Sequence, residues 1–346
     1  MGLVVYWYST VCFVIVGVAL VGSVYIIWRR EFCARNYHGD GDDSTTTSTL
    51  NTNVNQSLGA SQLPRGYVNS GQAWSTCWRG LHPVWLLALR FASFVIMSAF
   101  LAWDILDSGT SVYIYYTEWT FTLVSVYFAI GTIVSVRGCM VYDSKKKRQK
   151  ADFDNGQKEE LLRRDVDMEV EAEGDNSNTN TNSAITSITT SSTKFQIADF
   201  WGYCIQIVYQ TCAGAVIMTD LVFWCIIVPF LSIAHLQLDL LMGCMHILNA
   251  VFLLLDTAVS SLPFTWFGLA YFVLWSCCYV IFQWLIHACG YSTWPYPFLE
   301  LSTPWAPLWY TCLAVAHIPC YGLYWLLIRA KNSIFSALFP LSFANH

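Results

Sequence analysis

Polar and ionisable side chains interrupt several long apolar stretches of this sequence. Thr120 lies near the start of one stretch, Asp220 near the end of another, and His246 and Asn249 lie within a third. A charged group inside a membrane-spanning helix is costly, so such residues often mark a functional site. A hydroxyl, an imidazole and a further polar group are what nucleophilic catalysis requires. The hydroxyl attacks, the imidazole accepts its proton, and the third group orients the imidazole.

The same residues are predicted to lie at a similar depth. With a rise of about 1.5 Å per residue, Thr120 lies about 12 Å and His246 about 15 Å from the outer end of its stretch. Asp220 approaches the outer end of its own stretch. His246 and Asn249 are three residues apart, and Asp239 precedes His246 by two turns, so the three share one helix face. These residues could form a catalytic layer, or they could simply join helices through hydrogen bonds.

Nothing in the sequence indicates a metal or a cofactor. The apolar stretches contain no His-x-x-x-His or Glu-x-x-His pair, and the thirteen cysteines form no C-x-x-C spacing. The cysteines are therefore interpreted as small packing residues. The net charge of −5 gives no indication of a nucleic-acid partner.

The elements that must position these residues are predicted to be membrane-spanning helices. The chain is 55% hydrophobic and 12% charged, whereas an average soluble domain is about 25% charged. A bilayer core about 30 Å thick requires about 20 apolar residues in a helix. Seven stretches reach that length, namely 3–28, 84–106, 112–136, 200–230, 236–260, 264–289 and 305–328. The sequence therefore predicts an all-α integral membrane protein, a bundle of about seven transmembrane helices.

The distribution of Lys and Arg predicts the orientation of these helices. Under the seven-helix interpretation nearly all basic residues fall on one side, which places the N-terminus outside and the C-terminus in the cytosol. Arg29 and Arg30 directly follow the first stretch, so it is expected to be an anchor rather than a cleaved signal. Arg90 is expected to extend its side chain to the cytosolic interface. The sequence does not distinguish the plasma membrane from an endomembrane as the location.

The predicted organisation has six parts. They are an N-terminal anchor at 1–28, a cytosolic disordered linker at 29–83, helices two and three at 84–142, a cytosolic disordered loop at 143–198, helices four to seven at 199–330, and a cytosolic tail at 331–346. The linker and loop are rich in Ser, Thr, Asn and charged residues without apolar periodicity. Aromatic residues and prolines cluster at 291–309. They form either an interfacial aromatic belt or a rigid outer loop that covers a pocket.

Three stretches resemble known membrane proteins. The stretch 115–123 (YYTEWTFTL) resembles the start of a helix in rolling stone-like proteins. The stretch 294–300 (WPYPFLE) resembles the W-x-Y-P-F-L-E loop of the androgen-induced-gene family. The helix around His246 resembles that family's intramembrane histidine helix. The resemblance covers roughly residues 84–330 without the 143–198 insertion. The first helix and the two polar segments are additional, and Ile247-Leu248-Asn249 stands where the family has Thr residues.

The resemblance implies a function. Some members of the androgen-induced-gene family are threonine hydrolases that cleave fatty acid esters of hydroxy fatty acids with an intramembrane Thr and His. Because Trp119-Thr120-Phe121 is similar to the family's Leu-Thr-Phe motif, the resemblance implies Thr120 as the nucleophile and His246 as the general base. Asp220 or Asn249 would orient the imidazole.

The expected function is thus that of an intramembrane threonine hydrolase of lipid esters, with membrane lipids and a lipid-ester substrate as partners. Two alternatives stay open, a non-enzymatic membrane scaffold or signalling protein and a transporter. Rolling stone itself is associated with cell fusion. Protein partners and substrate chain length are not indicated by the sequence.

Overall fold

The computed structural model describes residues 6–39, 68–69, 71–172, 200–231 and 240–344. Asp239 lies outside this part of the chain, as do residues 40–67 and 70 of the expected linker and residues 173–198 of the expected loop. The long helices, labelled in chain order, are α1 (Trp7–Gly39), α2 (Val84–Ser108), α3 (Tyr116–Ala172), α4 (Phe200–Val222), α5 (Leu240–Val259), α6 (Leu269–Ala288) and α7 (Ala306–Leu338).

Seven helices in the described residues are long and apolar enough to cross a membrane. The predictions of an all-α fold and of seven spanning helices are therefore confirmed in helix number, length and composition. We call the end of the bundle at which α3 and α5 begin the site end. The opposite end, which carries Arg30, Arg137 and Arg329, we call the basic end.

Backbone chemistry explains where several helices start and stop. Pro83 directly precedes α2, and Gly109 terminates it with a φ of 74°, a conformation that a residue with a side chain rarely adopts. Pro307 lies in the first turn of α7, where its missing N–H is not needed. Short 3₁₀ segments connect the helices at Gly109–Ile114, Trp266–Gly268 and Pro297–Leu299.

The central helix of the bundle is α4, which contacts α3, α5, α6 and α7. It approaches α6 closely at Gly214, where an added Cβ would lie 2.4 Å from the ring of Phe272. Small residues allow such close approach between membrane helices. At the site end α4 continues as a π-helical segment, Phe223–Leu231, which contains Pro229. Single π-turns are frequent near functional sites, and this longer segment borders the cavity described below.

The polar segments depart from the sequence-based expectation of disorder. Helix α3 continues to Ala172, so residues 143–172 of the expected 143–198 loop are helical. This region is rich in Lys, Glu and Arg, which favour helix. In the sequence, Glu precedes Arg by four residues at 159/163 and at 160/164, a spacing that favours helix. The hydrophobicity pattern that located the membrane spans carries no information about such a polar helix.

Part of the expected 29–83 linker is also ordered. Helix α1 extends to Gly39, and residues 71–83 pack against the basic end of the bundle, with Cys77 buried and its N–H donating to the Val259 carbonyl at 2.9 Å. Trp78 packs against Phe335 and Phe343. The expected 331–346 tail is therefore held to this segment through aromatic side chains, and its first residues belong to α7.

A buried ion pair lies near the basic end. Arg90 Nε of α2 donates to Asp256 Oδ1 of α5 at 2.8 Å, and neither side chain is exposed. Tyr127 of α3 donates to the second carboxylate oxygen of Asp256. Arg90 Nη1 donates to the Ala73 carbonyl at 3.0 Å and to Ser135 Oγ at 2.9 Å. The expectation that Arg90 reaches the interface was wrong, because its side chain is fully buried and pairs with a carboxylate on α5 inside the bundle.

Breaking this pair should destabilise the bundle. Arg90→Met leaves the Asp256 carboxylate buried without its cation, a change that costs about 3–5 kcal/mol in buried pairs. We expect a clear loss of thermal stability, measured as the fraction of monodisperse protein that survives heating in detergent.

The matched control is the double variant Arg90→Met with Asp256→Leu. Removing both charges relieves the unpaired carboxylate, so this protein should be more stable than either single variant. Additive losses in the double variant would show that the two residues stabilise the fold independently.

Candidate functional site

The site centres on His246, which lies in α5 two turns from the start of that helix. Its Nδ1 is 3.1 Å from Asp220 Oδ1 at the end of α4, and its Nε2 is 3.4 Å from Thr117 Oγ1 in the first turn of α3. The His246 side chain is 1% exposed and that of Asp220 is 20% exposed. A neutral imidazole with its proton on Nδ1 donates to Asp220 and leaves Nε2 free to accept from Thr117.

An aromatic ring also packs against the face of the imidazole. Phe223, the first residue of the π-helical segment, stacks on His246 with ring centroids 3.8 Å apart and planes 14° from parallel. Because Asp220 and Phe223 are three residues apart near the junction of α4 with this segment, the same stretch of chain orients both the edge and the face of the imidazole. The protein therefore presents His246 in one fixed orientation.

The sequence-predicted residues are brought together only in part. His246 and Asp220 are in contact, as the orienting role of Asp220 requires. Thr120 is fully buried, and its Oγ1 lies 3.1 Å from Thr219 Oγ1. Thr219 donates its own proton to the Ala215 carbonyl at 2.7 Å, so the Thr120 hydroxyl is the donor in that contact. Its proton is thus directed toward Thr219 rather than toward the imidazole.

Asn249 lies one turn beyond His246 and is fully buried. Neither its Oδ1 nor its Nδ2 has a hydrogen-bond partner among the described residues. The structure therefore gives Asn249 no contact through which it orients His246, and Asp220 occupies that position.

Thr117 is the hydroxyl that sequence reasoning missed. It precedes Thr120 by three residues and shares its helix face. Thr117 borders a cavity of about 90 Å³ between α3, α4, α6 and α7, and it also borders a smaller one of about 40 Å³ next to Glu118. Thr120 borders neither. Of the two threonines, only Thr117 therefore contacts the imidazole and also borders a cavity.

The loop between α6 and α7, at the site end, borders this cavity. Tyr296, Phe298 and Leu299 of the WPYPFLE stretch are buried and border the cavity, rather than forming only a belt at the surface. The phenol oxygen of Tyr296 accepts from the Tyr116 N–H at 3.2 Å and lies near the Thr117 side chain. Burial raises the pKa of Tyr296 to about 12, so the phenol keeps its proton at neutral pH.

The loop is fixed at its base by His287. The ring nitrogens of His287 lie 2.7 Å from the Gln283 carbonyl oxygen and 3.1 Å from the Thr293 carbonyl oxygen. The ring stacks on Trp294 with centroids 3.6 Å apart. On the other side of the loop, Tyr310 donates to the Leu299 carbonyl at 3.0 Å. These contacts set the position of Tyr296 over Thr117.

The groups around the cavity suit acid–base chemistry rather than metal binding. Within the described residues, no cluster of three or more His, Cys, Asp or Glu side chains could hold a metal ion. Comparisons of the chain with protein-family models, with curated proteins and with solved structures found no match. The function must therefore be argued from the site itself.

Removing His287 should loosen the loop between α6 and α7. His287→Ala deletes a carbonyl contact to Thr293 and the stacking on Trp294, which together stabilise the loop by about 1–2 kcal/mol. We expect amide hydrogen exchange in residues 291–300 to accelerate about 5- to 30-fold.

His82→Ala is the control for this measurement, since His82 is 39% exposed at the basic end. It should leave exchange in residues 291–300 unchanged. Unchanged exchange in His287→Ala as well would mean that Tyr310 and the prolines fix the loop without His287.

Proposed function

We propose that this chain is an intramembrane hydrolase of lipid esters, with Thr117 as the nucleophile, His246 as the general base and Asp220 as the residue that orients His246. The observation that carries the proposal is the series of contacts from Asp220 through His246 to Thr117, which ends at a cavity inside the bundle. A third group that orients a base beside a nucleophile is the arrangement shared by unrelated hydrolases.

The choice of Thr117 over Thr120 follows from the hydrogen bonds. The Thr120 proton is donated to Thr219, whereas the Thr117 hydroxyl lies at the free nitrogen of His246. The distance of 3.4 Å is long for a hydrogen bond, and such contacts commonly tighten when substrate binds. The resemblance to threonine hydrolases supports the reaction class, with the nucleophile one turn nearer to the start of α3 than that resemblance implied.

The reaction would proceed in two halves. Thr117 Oγ1 attacks the ester carbonyl carbon as its proton passes to His246 Nε2. The carbonyl oxygen carries the resulting negative charge. Collapse of this intermediate breaks the bond to the alcohol, which leaves with the proton from Nε2, and the acyl group remains on Thr117. Water then gives its proton to Nε2 and attacks the acyl carbon, which releases the carboxylic acid and returns the proton to Thr117.

Tyr296 is the proposed donor to the developing oxyanion. Its phenol is protonated at neutral pH, is oriented by the Tyr116 N–H, and lies beside the Thr117 hydroxyl at the cavity wall. A fixed donor in a site that excludes water stabilises a developing negative charge strongly.

Covalent labelling tests the nucleophile directly. Purified protein is treated with a fluorophosphonate lipid probe, and the modified residue is mapped by mass spectrometry. We expect labelling at Thr117, with a loss of at least about 10³-fold in Thr117→Val and His246→Gln and of about 10²- to 10⁴-fold in Asp220→Asn. Thr117→Ser should retain labelling because the hydroxyl is kept.

Thr120→Val is the matched control, since it is the same substitution one turn away. It should label like the wild type. Modification mapped to Thr120 and lost in Thr120→Val would transfer the nucleophile role to that residue. Well-folded wild-type protein that does not label at all would contradict the hydrolase proposal.

Replacing Tyr296 by Phe tests the oxyanion role. The substitution keeps the ring and removes one donor, so kcat for ester hydrolysis should fall about 10²- to 10³-fold with little change in KM. Tyr291→Phe, in the same loop at an exposed position, should not change either parameter. A rise in KM without a fall in kcat would instead assign Tyr296 to substrate binding.

One observation favours a non-enzymatic scaffold as the second candidate. The Tyr209–Thr257–Tyr324 contacts are buried links between helices, and none of these three residues borders the cavity at Thr117. This is expected where hydroxyls serve only to join membrane helices. In a scaffold, Asp220 and His246 would be one more such link, and substitutions at Thr117 would leave the function of the protein intact.

A further inference from the structure

A second and larger concavity lies beside the cavity at Thr117. It is a groove of about 770 Å³ between the end of α4 and one face of α7, with Trp266 at its far wall. We call it the α4–α7 groove. Every side chain that borders it is aliphatic, aromatic, a methionine, a proline or a cysteine, apart from Gly322. No charged side chain borders the groove. It therefore suits a hydrocarbon chain and has no side chain that would form an ion pair with a polar head group.

The groove adjoins the cavity that Thr117 borders. Met218, Val222 and Leu313 border both spaces. These methionine and aliphatic side chains therefore lie between the apolar groove and the cavity at the Thr117 hydroxyl. Met and Leu side chains change rotamer readily, and Met in particular adapts to irregular spaces.

The dimensions of the groove fit a long acyl chain. Its wall on α7 extends from Leu313, at the cavity, to Leu326, nearer to the basic end. Thirteen residues of helix correspond to about 20 Å, which is most of a bilayer core about 30 Å thick. The α7 wall includes Ile318, Leu323 and Leu326, all at least two-fifths exposed, so the groove is open on the side that faces lipid.

We propose that the α4–α7 groove binds the acyl chain of a membrane lipid ester, with the ester carbonyl reaching Thr117 past Met218, Val222 and Leu313. This inference rests on the proposed hydrolase function for the role of the carbonyl end, whereas the binding of the chain itself does not require turnover. The reactant would reach the site laterally from the bilayer, because the loop between α6 and α7 covers the cavity from the other side.

Photolabelling tests this site. The protein is reconstituted in nanodiscs with a long-chain acyl ester that carries a diazirine in its chain, irradiated, and mapped by mass spectrometry. We expect labelling in residues 218–226 and 309–326 that saturates with probe and is displaced by the unlabelled ether analogue. Ala316→Trp, which fills the groove, should reduce this labelling about tenfold.

Val315→Trp is the matched control, because Val315 is 58% exposed on α7 and does not border the groove. It should label like the wild type. If Ala316→Trp fails to give monodisperse protein, Cys312→Trp, at an exposed position of the same wall, takes its place. Labelling that neither saturates nor decreases in the groove variant, and that covers all lipid-facing helices equally, would overturn the proposal.

The same experiment on Thr117→Val separates the two proposals. Retained, saturable labelling of the groove in this variant is expected, since the chain binds without the nucleophile. Saturable groove labelling in a wild-type protein that hydrolyses no ester would leave the acyl site in place and reject the hydrolase. Hydrolysis without groove labelling, unaffected by Ala316→Trp, would keep the hydrolase and reject the groove as its acyl site.

Discussion

Polar groups inside apolar helices must find their partners within the protein, and this constraint fixes how α3 and α5 lie against each other. Thr117 contacts His246, and ten residues later on each helix Tyr127 contacts Asp256. Both helices begin at the site end, so the two contacts, about 15 Å apart along the axis, hold parallel helices at one relative height. Each contact includes a residue from a third helix. Asp220 of α4 contacts His246, and Arg90 of α2 pairs with Asp256.

The two polar contacts differ in how far their carboxylates are buried and paired. At the basic end, Asp256 is saturated by Arg90 and Tyr127 with no exposed surface, an arrangement that mainly specifies how helices pair. At the site end, Asp220 is partly exposed and the contact ends in a hydroxyl at a cavity. Because Asp256 and His246 both lie on α5, the buried pair at one end limits how far the imidazole at the other end can shift relative to α3.

The spans could be predicted from the sequence because hydrocarbon imposes a length and a composition on each helix. The polar ends were less predictable. The helical continuation of α3 to Ala172 and the packing of Trp78 on Phe343 depend on helix propensity and on contacts distant in sequence. The partner of Arg90 was missed for the same reason, since nothing local to Arg90 indicates that Asp256 lies beside it.

Within the site, residue types and depth predicted that Asp220 and His246 belong together, but they did not distinguish Thr117 from Thr120. The two threonines lie about 4.5 Å apart along one helix face. This distance is smaller than the error of a depth estimate that depends on uncertain helix ends. Which hydroxyl meets the imidazole is decided by how α3, α4 and α5 pack against one another. Thr219 of α4 is close enough to accept a hydrogen bond from Thr120, and α5 places His246 beside Thr117.

The position of Thr117 within α3 gives a physical reason for that difference. Hydroxyls in the middle of these helices donate to the carbonyl four residues earlier, as Ser125, Thr132 and Thr257 do to Phe121, Phe128 and Leu253. Thr117 is the second residue of its helix, and Tyr115 before it is extended, so no helical carbonyl four residues earlier lies in line to accept its proton. A threonine at a helix start does not donate its proton to the helix backbone and can direct it to a neighbouring side chain. One turn later, the helix itself or a neighbouring hydroxyl competes for that proton.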